Sequence, residues 1–103
     1  MQFLVITSDH GDVNWLDHAE LLREEARHVW NLYKSSILRN IWFSENKDAL
    51  LVFDCDTENA VARYMDQFPL VKRNLIDYKV TSLLPYTGFE RLMNGTDTND
   101  PAD

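Results

Sequence analysis

Apolar residues along this chain follow two rhythms, one of strands and one of helices. Gln2-Phe3-Leu4-Val5-Ile6-Thr7 is a nearly continuous apolar run. That is the pattern of a strand covered on both faces, and it belongs in the middle of a sheet. Ser8 to Asn14 is a polar loop that ends in a helix-capping residue type. From Trp15 to Lys34, the residues Leu22, Ala26, Val29, Trp30 and Tyr33 fall three and four apart, which draws one apolar stripe along a long helix. Glu20, Arg23, Glu24 and Arg27 fill much of its outer side. Their pairings are worth only ~0.2–0.5 kcal/mol each, so packing decides the helix.

Two runs rich in branched and aromatic residues come next, Ile37 to Ser44 and Ala49 to Cys55, joined by Glu45-Asn46-Lys47-Asp48. They predict a β-hairpin. Opposing Ser44 to Ala49 sets Arg39 against Asp54, Ile41 against Val52 and Phe43 against Leu50. The other face then holds Leu38, Asn40, Trp42, Leu51, Phe53 and Cys55. Neither face is polar enough to stand in water as the wet side of a half-covered antiparallel sheet. Helices cover one face, and a second subunit is the economical cover for the other.

Asp56 or Thr57 caps a second helix, Glu58 to Gln67, with Ala60, Val61, Tyr64 and Met65 as its stripe. Pro69 stops it, and Pro69 to Asn74 reads as a return loop. Leu75 to Leu84 is a fourth strand, with Ile76, Tyr78 and Val80 on one side and Asp77, Lys79 and Thr81 on the other; its polar face suits a sheet edge. Pro85 to Met93 carries Tyr86, Phe89 and Leu92, poor choices for a free tail. The order is βαββαβ: an α+β, ferredoxin-like pattern with a four-stranded antiparallel sheet and two helices on one face. The chain divides into a domain over 1–93 and a disordered acidic tail over 94–103.

Composition narrows the function classes. With 103 residues, 45% hydrophobic, the chain suits one globular domain. A net charge of −7 argues against a binder of nucleic-acid backbones. The single cysteine, Cys55, forms no internal disulfide and suits a reducing compartment. Met1 leads straight into a strand and no apolar run nears the length of a membrane span, so the expectation is a cytoplasmic protein without a membrane partner. The three histidines are not at His-x-x-x-His spacing, and no metal or other cofactor is expected. His28 shares a helix face with Glu24 and Leu21 and reads as exposed.

Phe68-Pro69-Leu70-Val71, then Leu75-Ile76-Asp77-Tyr78-Lys79-Val80, then Leu83-Leu84-Pro85-Tyr86 resemble the C-terminal half of small muconolactone isomerase-like proteins. So does Ile37-Leu38-Arg39 after a long helix ending in Leu32-Tyr33. The resemblance spans about Met1 to Met93. It implies a dimeric α+β barrel, in which two ferredoxin-like sheets pack face to face around a cavity, as a homodimer or a higher oligomer. Many relatives carry Gly before the second strand, where this chain has Ser35-Ser36. They often carry Glu in the third strand, where it has Asp54.

Within that frame the candidate catalytic residues are Arg39, Asp54, His10 and Asp77, and the candidate substrate-binding residues are Trp42, Tyr78, Ile41 and Val52. Arg39 suits a carboxylate or enolate oxygen, and a carboxylate partner serves either to move a proton or to orient it. His10, between Asp9 and Asp12 in a loop, is a neutral-pH acid/base or a solvated histidine. Tyr78 and Asp77 point to opposite faces, so one of them faces the cavity. The resulting expectation is a small cofactor-independent isomerase or cyclase. Its substrate is an apolar or aromatic-derived carbonyl or lactone, transformed by proton transfer. A non-catalytic binding or assembly protein and a cofactor-free monooxygenase are the alternatives.

Overall fold

The structure, a computed structural model, describes residues 1–93; the expected acidic tail over 94–103 lies outside the described residues. In chain order the elements are β1 (Gln2–Asp9), a 3₁₀ turn (Trp15–His18), α1 (Ala19–Lys34), β2 (Leu38–Phe43), β3 (Ala49–Asp54), α2 (Glu58–Met65), α3 (Pro69–Lys72), β4 (Ile76–Leu83) and α4 (Glu90–Met93). The four strands form one antiparallel sheet in the order β2-β3-β1-β4. β1 is central and β4, with its polar face, is an edge. This is the ferredoxin-like arrangement. Phe3, Val5, Leu38, Leu51 and Phe53 of the sheet are buried against Leu32 of α1, Val61 and Met65 of α2, and Phe68.

The expected hairpin register is wrong by one residue. Phe43 pairs with Ala49, Trp42 with Leu50, Ile41 with Leu51 and Asn40 with Val52. The turn explains the slip. Ser44 N–H donates to the Asp48 carbonyl at 2.8 Å and Lys47 N–H to the Ser44 carbonyl at 2.9 Å, while Lys47 takes a left-handed φ of 68°. Such a loop pairs Ser44 with Asp48 rather than with Ala49. A slip of one residue exchanges the faces, so Ile41 and Phe43 join Leu51 on the helix side and Trp42 joins Leu50 and Val52 on the other. An irregularity between Leu38 and Asn40 then shifts the register again, so that Leu38 pairs with Phe53. Both are fully buried. Arg39 is the residue the bulge absorbs.

Two further expectations change. The long helix does not begin at Trp15. Asn14 accepts the N–H of Leu16, and the Trp15 indole donates to Asp9 Oδ2 at 3.0 Å. The first turn is thereby held apart from α1. α2 ends at Met65, short of the expected Gln67, and the expected return loop begins as α3, which Pro69 opens from the first helical position, where its fixed φ is an advantage.

The face of the sheet away from the helices carries Leu4, Ile6, Leu50, Val52, Trp42 and Leu83, by pairing register. Ile6 is 43% and Trp42 53% exposed. Beyond β4, residues 84–93 continue as an arm. Leu84, Tyr86, Phe89, Leu92 and Met93 are all strongly exposed, although Tyr86 and Phe89 pack edge to face at 4.9 Å.

Candidate active site

The apolar stripe of α1 is legible in the sequence, yet it does not lie flat on the sheet. Leu32 is its only buried residue. Leu22, Ala26, Val29, Trp30 and Tyr33 instead form one wall of a cavity of about 830 Å³. Ile41, Phe43, Ala49 and Leu51 of the hairpin form the opposite wall, and Met65, Phe68 and Leu70 close one end. The register slip is what turns Ile41 and Phe43 inward. Trp15 stands at the other end, held by Asp9. Trp30, Tyr33 and Phe43 are exposed at the rim, so solvent reaches the space.

Among these apolar walls stands one carboxyl from the middle of α1. Glu25 Oε1 accepts the backbone N–H of Leu70 at 3.0 Å. Burial raises its pKa above the ordinary 4.5, and the hydrogen bond from Leu70 offsets part of the rise. A carboxyl raised by burial beside a cavity is a candidate acid/base. Glu25 was not among the expected residues. The signal was present: Glu25 lies three after Leu22 and four before Val29, within the apolar stripe.

The expected residues gather elsewhere. His10 and Asp77 meet, with Nδ1 at 2.9 and 3.0 Å from the two carboxylate oxygens, both side chains largely exposed. Arg39 and Asp54 meet at 3.8 Å, each about half exposed, and Asp54 also binds the N-terminal ammonium at 3.3 Å. Neither pair lines the cavity. Trp42 and Val52 face away from the helices, and Ile41 lines the cavity. Tyr78 faces the helices and packs on the core, where its hydroxyl donates to Asp66 at 2.8 Å. Burial and that hydrogen bond push its pKa up to about 12, so it stays a neutral donor. The expectation put a cavity between two sheets; the cavity this chain forms by itself lies on the other side of its sheet.

His28 is not exposed as expected. It packs edge to face on Phe68 at 4.6 Å, and its Nε2 is buried with no hydrogen-bond partner. Glu25 and His28 stand at Glu-x-x-His spacing, but the carboxyl enters the cavity and the imidazole does not line it. Among the described residues no three His, Cys, Asp or Glu side chains gather into a possible metal site, and no helix is long and apolar enough to cross a membrane.

A solved muconolactone isomerase superposes on this chain with a TM-score of 0.71 at 21% identity, covering 84% of this chain and 92% of that one. The chain has the fold of muconolactone isomerase. A second match shares that fold: 5-chloro-2-hydroxyhydroquinone dehydrochlorinase from Burkholderia phenoliruptrix AC1100, solved with 2,5-dihydroxybenzoquinone. Its TM-score is 0.68 at 11% identity, covering 85% of this chain and 98% of that one. No protein-family model and no curated protein matches the sequence. The likeness in fold agrees with the ferredoxin-like element order read from the sequence.

Proposed function

We infer that the chain is a small enzyme of isomerase or lyase type. It moves a proton on a small, mostly apolar carbonyl compound held between α1 and the sheet, with Glu25 as the acid/base. One observation carries this reading: the Glu25 carboxyl, its pKa raised by burial, stands between the apolar stripe of α1 and the hairpin in a cavity of about 830 Å³. In the proposed step the Glu25 carboxylate takes a proton from the carbon next to the carbonyl, and the C–H electron pair passes into an enolate. Returning that proton to another carbon gives an isomer; departure of a leaving group instead gives an elimination. Neither outcome consumes an oxidant. The amide of Asn46, which lines the cavity, supplies an uncharged donor for the enolate oxygen. The fold shared with an isomerase and a dehydrochlorinase supports the class of reaction by analogy only.

The Glu25→Gln variant tests it. The amide keeps the Oε1 acceptor for Leu70 N–H, so the fold survives while the proton carrier is lost. Turnover of a lactone or hydroxyquinone substrate should fall on the order of 10²–10⁴-fold. The contact between His10 and Asp77 favours a second reading, in which a histidine held at Nδ1 offers Nε2 as the base on the sheet's open face. If His10→Gln abolishes turnover and Glu25→Gln leaves it intact, that second reading replaces the first. A binding or assembly protein would tolerate both changes. We further propose that a second copy covers the open face, since its apolar strip runs on through Leu83 into the arm over 84–93.

A further inference from the structure

We propose that the ligand of the helix-side cavity is an uncharged, hydroxylated ring rather than a carboxylate; this rests on that cavity being the active site. The charged residues lining it are three carboxyls, Asp9, Glu25 and Asp48, against one ammonium, Lys47. The guanidinium that would suit a carboxylate, Arg39, is held by Asp54 and does not line the cavity. Lys34 is spent on the Trp30 ring, 5.9 Å from its centroid. A carboxylate ligand would therefore enter a space of its own sign, with apolar walls that weaken screening. It would also hold Glu25 protonated and so remove the base.

The neutral polar groups point the same way. The Thr7 hydroxyl is used in both directions, donating to the Ala49 carbonyl at 2.9 Å and accepting the Ala49 N–H at 3.0 Å. The polar groups left for a ligand are thus mainly carboxylate acceptors, with the Asn46 amide and the Tyr33 hydroxyl beside them. Carboxylates accept hydrogen bonds and cannot donate them when ionised, so they select a ligand that brings its own O–H donors. The aromatic walls, Trp15, Trp30, Tyr33 and Phe43, suit a flat ring.

Two probes with one ring separate the possibilities: methyl 2,5-dihydroxybenzoate and the free acid, 2,5-dihydroxybenzoate. Binding is followed by tryptophan fluorescence and calorimetry on the full chain at neutral pH. The ester should bind about ten-fold tighter or more. Asp48→Asn should narrow the ratio, because it removes one like charge while the backbone bonds of the Ser44–Asp48 turn remain. Lys47→Gln should widen it. Equal or tighter binding of the free acid overturns the inference but leaves the cavity as the active site. Failure of either probe to bind, with turnover unaffected by Glu25→Gln, overturns both.

Discussion

Glu25 and His28 lie three residues apart on α1, and their environments push them in opposite ways. Burial lowers the His28 pKa below its ordinary 6.5; the nearby Tyr64 backbone opposes the shift and Lys72 adds to it. A base depressed in the fold stabilises above its unfolded value, and that contribution is lost as pH falls through 6.5 and below. Glu25 is an acid raised in the fold, so it contributes the opposite sign: the fold gains relative stability as pH falls toward 4.5. Urea midpoints measured at neutral pH and near pH 5 should show the difference. His28→Leu should lose less stability on acidification than the parent chain, whereas Glu25→Gln should lose more, with equal or higher stability at neutral pH. A parent-like response in both variants would show that neither group feels its surroundings as described. Glu25 was hidden in the sequence because it stands in a run of charged residues, Glu20 to Arg27. Only its phase against Leu22 and Val29 separates it from Glu24.

At the scale of elements, the strands, both principal helices and their order were legible because burial pattern and capping agree with the fold. Asn14 and Thr57 both cap, as their residue types suggest. The hairpin register was not legible. It depends on whether five polar residues close as Ser44–Asp48 or Ser44–Ala49, and lysine at the left-handed position gives no warning. The Leu38–Asn40 irregularity is likewise set by what must be buried, Leu38 against Phe53, rather than by a turn residue. A similar strain lies at the end of α1. Ser36 has φ 67°, a left-handed conformation that glycine takes without cost at helix ends. Ser36→Gly should therefore stabilise the chain by about 0.5–1 kcal/mol, read as a raised melting temperature with unchanged turnover. A lowered melting temperature would show that the position is not strained.

The whole molecule is a one-sided sandwich. Two helices serve one face of the sheet, and the apolar residues opposite have no cover within the described chain. The sequence made this asymmetry visible through the apolar hairpin, but it assigned the wrong residues to each side, since face membership follows register. Trp42, not Ile41, stands on the uncovered side, where it is the large exposed aromatic of the edge strand β2. If the proposed second copy covers this face, the parent chain should give a dimer by light scattering and Trp42→Glu a monomer that is folded by circular dichroism. A dimer that survives the substitution would move the interface elsewhere.

The arm over 84–93 offers a way to watch the same association without altering a residue. Its Tyr86, Phe89 and Leu92 are the side chains that chymotrypsin-like proteases select, and in a single copy they stand open to attack. When copies meet and the arm is buried, the cut should slow as protein concentration rises, and the melting temperature should climb with it. Sensitivity to digestion thus becomes a gauge of how crowded the molecule is with its own kind.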